Sequence, residues 1–418
     1  MTQTIKGLTA ENSARPPRDR AAIRPLPPGG AFSVDRRTEC LRPIHVTWSI
    51  GVHIYASAEN PSLNRIRASA ILVVFVAHAG FDHFVPAVFG VTVFFFLSGY
   101  LIAMLLFNEY ALTGSVSIHS FYARRAIRIL PPLFIVLFFA YALYFMGLIG
   151  GAAHPTGLIS QIFFFYNYFE MYSGFYPYGP TGTSALWSLA VEEHYYLILP
   201  IIFVPIFCKS SLRFGLLTCL ACFAVALAAK LIHYYVFETE PWIIGRSTET
   251  RFDSIVFGLL LAILHHYRVD GVTFGDNQRA LLVWCLAGLI VLLFCFLYRD
   301  EGFRAVYRYT LQGFALMPLF HYAIRRPDHF LFAPLNWRFV QWIGILSYSA
   351  YLTHDIILKG LLHNNIIAEE GILLLMVGFI LTALISALLY VMVERPLLSL
   401  RRRLRERSSP RKGAATQG

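Results

Sequence analysis

An all-α, polytopic membrane protein with about ten transmembrane helices and both termini cytoplasmic is what three observations in this chain predict. Hydrophobic residues make up 57% of the 418 and charged residues only 14%, a balance too apolar for a soluble chain of this length. Apolar runs recur at 66–84, 88–107, 129–150, 188–208, 213–236, 253–267, 279–298, 307–324, 340–361 and 371–393. Most reach the roughly 20 residues that carry a helix across a hydrocarbon core. Lysine and arginine fall asymmetrically: nine lie in residues 1–65, eight from Arg395 onward, and the connections after even-numbered spans are more basic than those after odd-numbered ones. Basic flanks are retained on the cytoplasmic side, so both tails are expected there. The net charge of +11 then reads as membrane topology and contact with anionic headgroups, and no nucleic-acid partner is needed.

Three segments follow. Residues 1–62, rich in Arg, Pro and Gly (SARPPRDRAAIRPLPPGG) and without helical period, are expected to be a disordered cytoplasmic tail. They hold no apolar core of the kind a signal peptide needs. Residues 44–57 (IHVTWSIGVHIYAS) either lie on the membrane surface or form a linker. Residues 63–400 are the transmembrane domain and 401–418 a basic tail. The stretch 158–170 (LISQIFFFYNYFE) offers a further short or re-entrant span. Six cysteines, five in or beside apolar spans, argue against a disulfide framework. The spacing of Cys219 and Cys222 in mid-helix reads as core packing, and no metal site is expected.

Charged and titratable residues inside such spans are expensive and therefore mark function. Arg67 and His78 share the first span (RIRASAILVVFVAHAG). If that span begins near Arg67, His78 lies about 16 Å further along at ~1.5 Å per residue, past the middle of the core. Asp82, one turn on, either orients the His78 ring or sits at the membrane surface. Arg124, Arg125 and Arg128 precede the third span (SIHSFYARRAIRILPPLF). Arg125 and Arg128, three apart, share a helix face and suit a phosphate, although such a cluster also serves as a topology anchor. Pro131 and Pro132 are expected to fix where that span begins. In TSALWSLAVEEHYYLILP (183–200), Ser188, Glu192 and Tyr195 fall on one helix side, with Glu193 and Tyr196 turned away. Glu192 is a candidate acid or base. Ser98 and Gly99 (GVTVFFFLSGYLIA) read as helix-packing residues. Arg251 and Asp253 (RFDSIVFG) are placed at the extracytoplasmic mouth of the sixth span. Tyr348, Tyr351 and His354 (SYSAYLTHD) lie in the ninth, where His354 is either a proton relay or, the commoner case, a structural histidine.

Taken in order, these motifs, closed by VERP at 393–396, resemble the acyltransferase 3 family of integral-membrane O-acyltransferases over residues 63–400. The resemblance implies ten transmembrane helices in a bacterial inner (cytoplasmic) membrane. It also implies transfer of an acyl group, acetyl above all, from cytoplasmic acyl-coenzyme A to a hydroxyl of a carbohydrate or glycolipid such as an O-antigen, exopolysaccharide or nodulation lipo-oligosaccharide. The family's arginine-x10-histidine motif falls on Arg67 and His78, and its RxxR motif on Arg125 and Arg128. His194 stands where glutamine is usual and Thr353 where tryptophan is common; neither removes a proposed catalytic group, and Thr353 bears on the acceptor pocket. The expected chemistry needs no bound cofactor, since acetyl-coenzyme A or another acyl-coenzyme A is a co-substrate. Its phosphates would dock on Arg67, Arg125 and Arg128. Neutral His78 would deprotonate the acceptor or take the acyl group itself, with Glu192 as a second acid or base. Asp82, Arg124, Ser188, Arg251, Asp253, Tyr348 and His354 are the supporting candidates.

A secondary transporter is the rival reading, since buried polar residues also suit a translocation path; no paired interrupted helices or inverted repeat appear. Gly-rich phosphate loops, HExxH and GxSxG are absent from the sequence, which disfavours soluble cofactor folds. No esterase-like domain accompanies the spans, so a stand-alone membrane unit is expected. The aromatic stretch 151–186 suits either sugar stacking or an interfacial belt.

Overall fold

The computed structural model describes residues 61–173, 178–275, 277–327, 329, 332 and 335–400. Both tails, and with them the 44–57 segment, lie outside the described residues. Ten long helices account for most of the remainder: α1 (Pro61–Val76), α2 (Ala87–Thr113), α3 (Ile118–Phe145), then α6 (Trp187–Phe203), α7 (Leu212–Tyr235), α9 (Thr248–His266), α11 (Gln278–Leu297), α12 (Arg308–Arg325), α13 (Arg338–His363) and α14 (Ile372–Leu389). Short helices α4 (Pro155–Ile162), α5 (Tyr166–Tyr172), α8 (Pro241–Ile244) and α10 (Asp270–Phe274) lie in the connections. Neither α4 nor α5, of 8 and 7 residues, is long enough to span a membrane.

Seven of the long helices are both long and apolar enough to cross a bilayer. The other three, α9, α12 and α13, coincide with expected spans but carry buried Arg251, Asp253, Gln312, His321, Ser347 and His354. The buried polar side chains lower their hydropathy, although α12 and α13 still expose Phe314, Phe339 and Trp342. The outer helices do the reverse. Phe138, Leu197, Ile201, Leu217, Ile290 and Leu388 are exposed, the inverse of a soluble surface and the pattern that a lipid solvent requires. The chain is a multi-pass membrane protein.

Helices α2 and α9 form the central seam. A Cβ on Gly99 would collide with the Ile255 carbonyl, and one on Gly258 would collide with the Phe96 carbonyl. Each helix thus presents a glycine to the other's backbone, the close approach that small residues permit. Gly99 behaves as its sequence context suggests.

Two boundaries differ from expectation. The third span begins at Ile118, eleven residues before 129, because Ser117 caps the helix by accepting from the Ser120 amide. Pro131 and Pro132 are therefore inside α3 and do not start it, and Arg124, Arg125 and Arg128 are helical. Beside these prolines Tyr348 of α13 donates to the Ile129 carbonyl at 2.8 Å, which ties α13 to α3. The first span likewise begins early, at Pro61, whose fixed φ suits a first helical turn.

Candidate active site

The early start of α1 carries His78 into the last turn of its helix. That turn, Ala77–Phe81, is a wide one, of a kind frequent at functional positions. Gly80 sits in it at φ +106°, open to glycine alone without strain, and the Ala79 carbonyl accepts from the Gly371 amide at 2.9 Å. His78 is thus nearer the α1–α2 end of the bundle than the middle of the core, while Arg67, hydrogen-bonded to Asn64 Oδ1 at 2.6 Å, lies towards the opposite end.

The half-buried His78 ring meets His354 of α13. Nδ1 of His78 is 2.8 Å from Nε2 of His354, and the two ring planes are within 19° of each other with centroids 5.0 Å apart, an edge-to-edge arrangement. His354 is fully buried, and its Nδ1 is 2.8 Å from the Tyr351 carbonyl. Asp82 does not orient the ring. The turn after Phe81 carries it outward, its side chain is 66% exposed, and it lies 3.9 Å from the exposed His83 ring.

A polar track continues from this pair into the bundle. The Tyr351 hydroxyl is 2.5 Å from Ser188 Oγ and donates to the Ala185 carbonyl at 3.0 Å. One turn along α6, Glu192 accepts from Ser98 at 2.7 Å and from the Tyr196 hydroxyl at 3.4 Å. Ser98 therefore serves a carboxylate, contrary to the packing role expected of it. Arg125 lies over the Tyr196 ring at 4.6 Å, a cation–π contact. Among the described residues neither Arg125 nor Arg128 makes an ion pair. Glu193 Oε1, the Tyr195 hydroxyl and Asp355 Oδ1 are buried polar atoms without a protein partner.

Other candidates stand apart from this track. Arg124 pairs with Glu109 at 2.8 Å, and Glu109 also receives the Ser117 amide, which staples the α2–α3 turn. Arg251 and Asp253 are not at an exposed mouth; both are fully buried. Arg251 donates to Thr92 at 2.9 Å and lies 3.7 Å from the Tyr309 ring centroid. Asp253 is bound by Lys230 at 2.5 Å and Thr310 at 2.8 Å. Thr353 donates to its own helix at Ser349 and faces Ser386. His194 sits 2.8 Å from Thr248 Oγ1 and stacks on Tyr168.

The structure also adds groups that sequence reading passed over. Lys230 lies in an apolar run (LACFAVALAAKLIHYY), where the rule that singled out His78 applies equally. Arg246 pairs with Glu170 of α5 at 2.5 Å; burial pushes the Glu170 carboxyl up, against the pull of that guanidinium. Buried His265, Asp270 and His321 hold their ligand-type atoms within 4.8 Å of one another. Arg325 is paired with Asp270 there and already supplies the positive charge. Cys208, Cys219, Cys222, Cys285 and Cys295 are free thiols.

A bundle whose interior gathers imidazoles, hydroxyls, a carboxylate and Arg125 defines an integral-membrane protein built around a polar track. The chain belongs to the acyltransferase 3 family: that family's model, described as an acyltransferase domain, matches residues 60–391. It is similar to the peptidoglycan O-acetyltransferase OatA of Listeria monocytogenes, 30% identical over 319 residues that cover 72% of this chain and 49% of OatA. It is also similar to YrhL of Bacillus subtilis, provisionally named a peptidoglycan O-acetyltransferase, 26% identical over 81% of this chain and 54% of YrhL. The chain thus spans about half the length of these curated relatives. No solved structure matches it.

Proposed function

We propose that the protein is an O-acetyltransferase of the bacterial inner membrane. It moves the acyl group of acyl-coenzyme A to a hydroxyl of a cell-envelope carbohydrate or glycolipid. The polar track carries this reading: one run of contacts, Arg125–Tyr196–Glu192–Ser98, and a second, Ser188–Tyr351–His354–His78, meet on α6, where Ser188 and Glu192 are one turn apart. Arg125 and Arg128 have the geometry and charge for the donor's phosphates, with Arg67 near the same end. His78, half-buried at the other end of the line, is the candidate base or acyl carrier, and Glu192 is a second acid or base between them. The names of the relatives make a peptidoglycan sugar one acceptor to test beside O-antigen, exopolysaccharide and nodulation lipo-oligosaccharide.

The test is thioester consumption by the purified protein in lipid nanodiscs, with and without acceptor glycans. His78→Ala should lose about 10²–10⁴-fold in transfer, the range of a general base. Arg125→Ala and Arg128→Ala should raise the donor KM by about 10- to 100-fold each, as loss of a charged hydrogen bond predicts. Wild-type transfer by a folded His78→Ala protein overturns the reading. Unchanged donor KM returns the arginines to a structural role.

A further inference from the structure

We propose that His354 is a positioning residue that fixes the tautomer of His78 and makes Nε2 its reactive nitrogen. This inference rests on the acyl-transfer reading above. It follows from counting protons along one chain of contacts. The Tyr351 carbonyl, 2.8 Å from His354 Nδ1, can only accept, so Nδ1 of His354 carries the proton. Nε2 of neutral His354 is then a lone pair and an acceptor. At 2.8 Å from it, Nδ1 of His78 must be the donor. The remaining nitrogen of His78, Nε2, holds the lone pair, and it makes no hydrogen bond to the described residues.

The same logic governs serine hydrolases, where a buried acceptor on Nδ1 leaves Nε2 as base. Here the acceptor is a second imidazole, and among the described residues no carboxylate hydrogen-bonds to either ring. Asp82 points to solvent, and Lys359 is paired with Glu370. Asp355 follows His354 on α13, but its Oδ1 has no partner. Fully buried and held by its own helix, His354 cannot turn away without leaving the Tyr351 carbonyl.

In the step this serves, the acceptor oxygen bonds to the thioester carbon as its proton passes to His78 Nε2. The carbon–sulfur bond then breaks, and the thiolate takes the proton back from Nε2. Atoms and charge balance: alcohol and thioester give ester and thiol. While Nε2 holds the proton, Nδ1–H remains donated to His354, which spreads the imidazolium charge. If His78 instead carries the acyl group, the same Nε2 lone pair is the nucleophile.

Full-length His354→Ala, His354→Gln and His78→Ala proteins in nanodiscs, assayed for kcat and KM with and without added imidazole, test the proposal. The glutamine carboxamide can set an acceptor oxygen near the site of Nε2. His354→Ala should lose about 10²–10³-fold in kcat with donor KM unchanged, part of which imidazole restores. His354→Gln should keep activity within about 10-fold of wild type. His78→Ala should be inactive and beyond rescue. Wild-type kcat in His354→Ala beside a dead His78→Ala overturns the tautomer role alone. That role also falls if alanine and glutamine lose kcat equally and imidazole restores nothing. An active His78→Ala overturns the acyl-transfer reading itself.

Discussion

Lys230 and Asp253 show how this interior tolerates charge. The ammonium and carboxylate are both fully buried, and Thr310 completes the carboxylate's shell. Removing one partner leaves the other charged and dry, so Lys230→Met should destabilise the protein by about 3–5 kcal/mol, read as a lower Tm in detergent. Pairing it with Asp253→Leu should recover much of that loss. This lysine was as visible in the sequence as His78, since both interrupt apolar runs. Other roles were not visible. Ser98 in FFFLSGYLIA reads as a small packing residue, because its acceptor, Glu192, lies 94 positions away. The link between His78 and His354 spans 276 positions, and no spacing rule reaches across two helices.

At the level of helices, ten apolar runs coincide with ten long helices, seven of them long and apolar enough to cross a bilayer, while their starts were not legible. Hydropathy places the beginnings of α1 and α3 too late, because polar first turns such as PSLNRIR and IHSFYARR do not look like membrane. The shift matters at both ends. It draws Arg125 inside a helix against Tyr196, and it moves His78 into the wide turn. Gly80→Ala should strain that turn by about 1–2 kcal/mol at its positive φ and lower kcat more than donor KM, because the turn aims His78. Gly99→Ala should force α2 from α9, with a loss of about 1–3 kcal/mol in thermal stability. Gly114→Ala, at an exposed turn where a Cβ meets nothing within 4 Å but φ is +71°, separates backbone strain from collision.

For the molecule as a whole, the arginine end and the imidazole end should face opposite sides of the membrane. Cysteines placed at Ser115 and at Glu369, in a background without the six native ones, should label with an impermeant maleimide from the cytoplasmic and the external side respectively. Labelling of both from one side would overturn the assigned topology. The glycine seam of α2 and α9 bears on how anything crosses between those sides. At Gly99 and Gly258 backbone rests against backbone, and Arg251 bonds to Thr92 across the same seam. A carrier that rocks open needs a hinge or a cleft through its centre; here the centre is a fused rib. On the proposed acyl-transfer reading, the acyl group would be handed through a stationary wall, with the carrier portion of the donor left behind at the arginines. Locking α2 to α9 by a cross-link should leave turnover intact, where a rocking bundle would stall.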